Sequence, residues 1–115
     1  MKNLKNLPLT FQKVRNEDLS AWHLFIIHLK LDQLELTRLE IYNSLREKGI
    51  GVNVHYIPLP MLSYFKGIGL DIRDYPSSYN LYKNEISLPI YNNLSLDSVQ
   101  HVCLKLIEIV NEIIK

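Results

Sequence analysis

Gly49-Ile50-Gly51-Val52-Asn53-Val54-His55-Tyr56-Ile57-Pro58 is the stretch on which the reading of this chain turns. Gly49 stands where a helix needs a left-handed residue in order to stop. From Gly51 onward the pattern has period two. Val52, Val54 and Tyr56 fall on one face, and Asn53, His55 and Ile57 on the other. Pro58 and Pro60 then end the strand, because proline cannot donate to a ladder. A helix, a glycine turn and a strand in immediate succession predict helices layered on a sheet.

On the N-terminal side, Leu34, Ile41, Tyr42 and Leu45 recur at helical spacing, with Glu35, Glu40, Glu47 and Lys48 mostly opposite. This predicts a helix ending at Gly49, with Asp32 available as its cap. Before it, residues Ser20 to Leu29 are aromatic and β-branched and contain no Gly or Pro. They predict a strand buried on both faces, with Tyr56 and Tyr42 as further core aromatics. Residues 1–19, with Pro8 and the polar run Arg15-Asn16-Glu17-Asp18, show no clean periodicity and read as an irregular lead-in.

On the C-terminal side, Met61 to Phe65 predict a helical turn and Ser77 to Lys83 a short helix. Glu85 to Tyr91 predict a third strand that Pro89 either breaks or confines to an edge. Ser95 is a good N-cap, with Asp97 in the first turn. Val99, Val102, Cys103, Leu106, Val110 and Ile113 then line one face of a long helix, with His101, Lys105, Glu108 and Glu112 opposite. The predicted fold is α/β in the broad sense (α+β), with about three strands packed against two long helices.

The chain has 115 residues, of which 47% are hydrophobic and 22% charged, which fits one globular domain and excludes a disordered chain. Thirteen Lys and Arg against twelve Asp and Glu leave a net charge of +1, so charge gives no reason to expect nucleic acid as a partner. Cys103 is the sole cysteine, which rules out an intrachain disulfide and a cysteine-based metal site. The longest apolar run, Leu24 to Ile27, is too short to span a bilayer, and no secretory signal is present. The expected location is cytoplasmic, with no membrane partner.

His55 is the polar residue of most interest, at a strand end before a proline turn, where a side chain often faces a cleft. It could bind an anion or donate a hydrogen bond. On the residues alone it reads first as a partly buried strand histidine with a satisfied ring. His23 and His28 lie on opposite strand parities and predict no joint metal site. His101 falls on the polar helix face and reads as solvated. Tyr64, Tyr75, Tyr79 and Tyr82 read as packing over the sheet. Gly67-Ile68-Gly69 lacks the third glycine of a phosphate loop and is discounted.

Three blocks in register add to this reading. They are Ser20-Ala21-Trp22-His23-Leu24-Phe25, then Leu45 through Pro58, then Ile86-Ser87-Leu88-Pro89-Ile90-Tyr91 followed by Leu94-Ser95. Together they resemble the C-terminal domain of the DegT/DnrJ/StrS-type sugar aminotransferases. The wording from Val52 to Pro58 is most similar to the subgroup acting on a UDP-linked 4-keto-6-deoxy-N-acetylhexosamine in pseudaminic acid biosynthesis.

The resemblance implies a small domain at residues 20–115, with 1–19 leading in from a missing large domain. It implies pyridoxal phosphate in the full-length enzyme, with glutamate and a UDP-sugar as reactants. Partners would be a second copy or the missing large domain. No lysine here matches the family's Schiff-base motif. Lys30, Lys48, Lys66, Lys83 and Lys105 read as surface lysines, so no catalytic or cofactor-binding residue is assigned and this chain alone is expected to be inactive. His55 and Tyr56 match the family's His-Tyr pair and are the expected substrate-binding residues. The competing reading is a non-catalytic nucleotide-sugar-binding or protein-interaction module.

Overall fold

Two amphipathic helices cover one face of a three-stranded antiparallel sheet in the computed structural model, which describes residues 4–115. The strands are β1 (Leu9–Phe11), β2 (Phe25–Leu29) and β3 (Glu85–Leu88), in the order β1-β2-β3. The helices are α1 (Arg38–Glu47), α2 (Ser63–Gly67), α3 (Pro76–Asn84) and α4 (Leu96–Glu112).

The register sorts the side chains. Phe25 pairs with Leu88, Ile27 with both Ile86 and Phe11, and Leu29 with Leu9. These residues share the face that meets Ile41 and Leu45 of α1 and Val102, Leu106, Ile109 and Val110 of α4. Ile27, Ile41, Leu45, Ile86, Leu106 and Val110 are fully enclosed. Each such side chain contributes about 1.5–3 kcal/mol through removal from water. The opposite face carries Thr10, His28 and Glu85 in one row and Ile26 and Ser87 in the next.

The α+β class and the two long helices agree with expectation, but the strands differ. Residues 51–57 do not form a strand. Asn53 pairs with Ser87 through two backbone hydrogen bonds, Ser87 N–H to Asn53 O at 2.8 Å and the reverse at 3.2 Å, and the ladder ends there. In one direction the next ladder partner is Pro89, which has no N–H to give. In the other, the His55 N–H is taken by the Glu85 side chain at 2.6 Å. The third strand instead comes from the stretch read as an irregular lead-in. Leu9–Phe11 pairs with β2, and Leu4, Leu7 and Leu9 enter the core. Residues 1–3 of that lead-in lie outside the described residues.

β2 is also shorter than expected. Trp22 adopts φ 48, a left-handed conformation incompatible with a strand, and the Ser20 hydroxyl accepts its N–H. β3 stops at Leu88, just before Pro89.

Asp32 does not cap α1. It sits in a 3-10 turn, Leu31–Gln33. Thr37 is the cap, and it forms a capping box with Glu40: the Glu40 N–H donates to Thr37 Oγ1, and the Thr37 N–H to Glu40 Oε2 at 2.8 Å. The other end of α1 closes as a Schellman motif. Gly49, at φ +80, donates to Arg46 O and Ile50 donates to Leu45 O, both at 3.0 Å. Gly69 ends α2 in the same way at φ +96, so the Gly67-Ile68-Gly69 run is a helix stop.

Candidate functional site

The segment from Gly49 to His55 leaves α1, pairs with the β3 backbone once, Asn53 with Ser87, and turns away. The chain after β3 turns through Pro89 to Leu94 and enters α4. Between these two passages lies an open groove of about 740 Å³. It is lined by His55, Ser87 and Asn53, by Asp97, Ser98 and His101 in the first turns of α4, and by His23.

His55 is held at three points. Its backbone N–H donates to Glu85 Oε1 at 2.6 Å. Its ring Nδ1 is hydrogen-bonded to Ser87 Oγ at 2.8 Å. Its ring meets that of Tyr56 edge-on, with centroids 4.7 Å apart. Glu85 and Ser87 are both buried, at 5% and 4% exposure, on a strand whose neighbours are apolar. Burial pushes the Glu85 carboxyl above its usual value, opposed by the hydrogen bond from the His55 N–H and by nearby positive charge such as Arg38.

The sequence-predicted pair separates here. His55 lines the groove, whereas Tyr56 does not and is 70% exposed. The expectation that Tyr56 is a core aromatic fails because no second strand residue follows Asn53 into the sheet. Tyr64, Tyr75 and Tyr79 are likewise exposed rather than packed over the sheet. Tyr82 lies under the Arg38 guanidinium, 5.1 Å from the ring centroid. His23 lies outside β2, so strand parity does not relate it to His28, which does not line the groove. His28 lines a separate polar cavity of about 380 Å³ with Lys30 and Lys83.

Sequence reasoning missed His23 and His101 as groove residues, and Glu85 and Ser87 as the supports of His55. The last two carried a signal, since polar residues two apart in an apolar strand share a face. Among the described residues no group of three or more His, Cys, Asp or Glu could hold a metal ion. Among the same residues no helix is long and apolar enough to cross a membrane.

The arrangement of the sheet and its two covering helices recurs in solved structures. A putative sugar aminotransferase, Spr1654 from Streptococcus pneumoniae, superposes with a TM-score of 0.85 at 29% identity, over 96% of this chain and 28% of that one. Helicobacter pylori PseC, an aminotransferase involved in pseudoaminic acid biosynthesis, superposes at 0.83 and 26% identity, over 96% of this chain and 30% of that one. The fold is therefore that of a domain found in sugar aminotransferases. Residues 1–107 match the model of the DegT/DnrJ/EryC1/StrS aminotransferase family, and the chain belongs to that family.

The spore coat polysaccharide biosynthesis protein SpsC of Bacillus subtilis (strain 168) is 35% identical over 104 residues, covering 89% of this chain and 26% of SpsC. A UDP-4-amino-4,6-dideoxy-N-acetyl-beta-L-altrosamine transaminase of Campylobacter jejuni (serotype O:23/36, strain 81-176) is 32% identical over 98 residues, covering 85% of this chain and 26% of that enzyme. The chain thus spans about a quarter of the length of these curated relatives.

Proposed function

We infer that residues 20–115 are the small C-terminal domain of a pyridoxal-phosphate-dependent transaminase acting on a nucleotide sugar, with residues 1–19 leading in from its large domain and supplying β1 to the sheet. The observation that carries this reading is His55, fixed by two buried polar side chains at the wall of a groove on a sugar-aminotransferase fold. The groove takes the nucleotide sugar, with His55 donating to one of its oxygens and Tyr56 beside it as a second contact. The substrate class is a UDP-linked 4-keto-6-deoxy amino sugar with glutamate as amino donor, supported by the name of the Campylobacter relative. The whole enzyme is cytoplasmic and works as a homo-oligomer.

Pyridoxal phosphate in the whole enzyme supplies the electron sink for the amino transfer. The described residues of this chain do not fit its aldehyde. Among the described residues no lysine lines the groove. Lys48, next to the groove's Gly49, is paired with Glu108 at 2.7 Å. The cofactor lysine is therefore assigned to the large domain. This chain binds and orients the sugar.

Two measurements test the reading. Titration with UDP-N-acetylglucosamine, followed by NMR, is expected to perturb His55 and its groove neighbours, and His55→Ala is expected to weaken binding about tenfold, the loss of roughly one hydrogen bond to a charged group. No response anywhere in the groove would sink the ligand assignment. In the second, the chain is mixed with pyridoxal phosphate and glutamate and the cofactor spectrum is followed. No conversion to the pyridoxamine form above the protein-free rate is expected. Clear conversion would place a competent lysine in this chain. The alternative, a non-catalytic binding or interaction module, predicts that adding the large domain of a relative restores nothing.

A further inference from the structure

Ser87 has one feature that its place in the strand does not require. Its backbone N–H and C=O are already satisfied by Asn53, at 2.8 and 3.2 Å. Its hydroxyl points into a polar pair with His55 Nδ1 at 2.8 Å, and no other partner of that hydroxyl is found among the described residues. At 4% exposure the residue has almost no access to water.

This geometry selects between the two neutral forms of the imidazole. With the proton on Nδ1, the ring would donate to Ser87 Oγ, and the serine proton would be left buried without an acceptor. With the proton on Nε2, Nδ1 is a lone pair that accepts the serine proton, and both groups are satisfied. An orphaned buried donor costs more than an ordinary hydrogen bond returns, so the second form wins. Nε2 is not among the buried unpartnered atoms, and the ring lines the groove. The Glu85 carboxylate fixes the backbone end of the same residue through the His55 N–H.

We propose that Ser87 is a positioning residue that locks neutral His55 in the tautomer carrying its proton on Nε2, so that the groove is presented with a fixed N–H donor suited to an oxygen of a phosphate or sugar hydroxyl. The choice of ligand rests on the groove being the nucleotide-sugar subsite. The tautomer does not.

The test uses the chain labelled with ¹⁵N at histidine. Two-bond proton–nitrogen correlation at a pH where His55 is neutral reads which ring nitrogen holds the proton. The native chain is expected to show His55 with its proton on Nε2. Ser87→Ala removes the donor, and the ratio of the two tautomers is expected to move toward Nδ1–H by roughly fivefold, the equivalent of about 1 kcal/mol for one neutral hydrogen bond. Ser87→Thr keeps the hydroxyl and is expected to restore the native ratio. A native His55 protonated on Nδ1 overturns the proposal without any variant, as does an unchanged ratio in a folded Ser87→Ala protein. UDP-N-acetylglucosamine added to the native sample separates the two claims. A locked tautomer that ignores the ligand supports the role of Ser87 and overturns the ligand assigned to the groove.

Discussion

Glu85 is the residue whose chemistry is most dependent on its surroundings. It lies at 5% exposure in β3, opposite His28 in the register, and its carboxylate accepts the His55 N–H. Its native pKa is raised above 4.5, chiefly by desolvation. A raised acid binds its proton more tightly in the folded state, so stability falls as pH rises from about 4.5 through the native value. Glu85→Gln keeps an acceptor for His55 and removes the titration. The two proteins are expected to melt together at pH 4. The Gln variant is expected to melt higher at pH 7, as read by thermal unfolding across that range. A lower melting point for Gln at pH 7 would show that the ionised carboxylate is stabilising. His55 was legible in the sequence from its position before Pro58. Its supports were not, because Glu85 and Ser87 are some thirty residues away, and the strand pairing that joins them is a non-local event.

At the scale of elements, the ends of α1 show which signals were readable. Gly49 announced the helix stop because few other residues adopt its φ of +80 at low cost. Thr37-Arg38-Leu39-Glu40 spelled a capping box at the other end, a better signal than Asp32, since the two side chains satisfy each other's backbone N–H. The false strand at 51–57 had good alternation, but period two describes only the side chains. It does not report that Pro89 lacks a donor or that Glu85 intercepts one.

Beyond its caps, α1 is tied to α4 by Lys48, which donates to Glu108 Oε1 at 2.7 Å, while Lys105 donates to Oε2 at 2.7 Å. These two ammonium groups hold the Glu108 carboxyl down at about 2. A depressed acid stabilises the fold above its unfolded value of 4.5 and loses that contribution as pH falls toward about 2. Glu108→Gln is therefore expected to lower the melting temperature at pH 7, with the gap to the native chain closing by pH 2. A gap that persists unchanged into acid would mean that the glutamate acts through packing alone.

For the whole molecule, the class was legible because helix and strand patterns survive any rearrangement of the order in which they pair. The sheet order was not, since the short β1 carries too few residues to show a period. The surface carries a second message. Tyr56, Ile57, Leu59, Leu62, Tyr64 and Ile68 are all exposed, within one short segment that leads from the groove. Isolated exposed apolar side chains are ordinary, but six within residues 56–68 make this segment a candidate contact surface. The chain by itself is expected to self-associate as its concentration rises, with Ile57→Asp and Leu62→Asp together shifting it toward monomer in sedimentation velocity. A monodisperse monomer at millimolar concentration would remove this surface from consideration.

The closing of the core by residues near both ends of the chain has a kinetic consequence. Leu4 and Leu7 are buried against the same cluster as Ile109 and Ile113, and Leu34 bridges Ile114 while Glu35 N–H donates to Ile113 O. β2 pairs with β3 only after the long excursion through α1, α2 and α3. Pairing β2 with β3 therefore closes a long loop, and that loop-closure entropy falls due before the apolar contacts repay it. β1, β2 and α1 are close in sequence, whereas the sheet is expected to be completed last, once β3 and α4 have reached it.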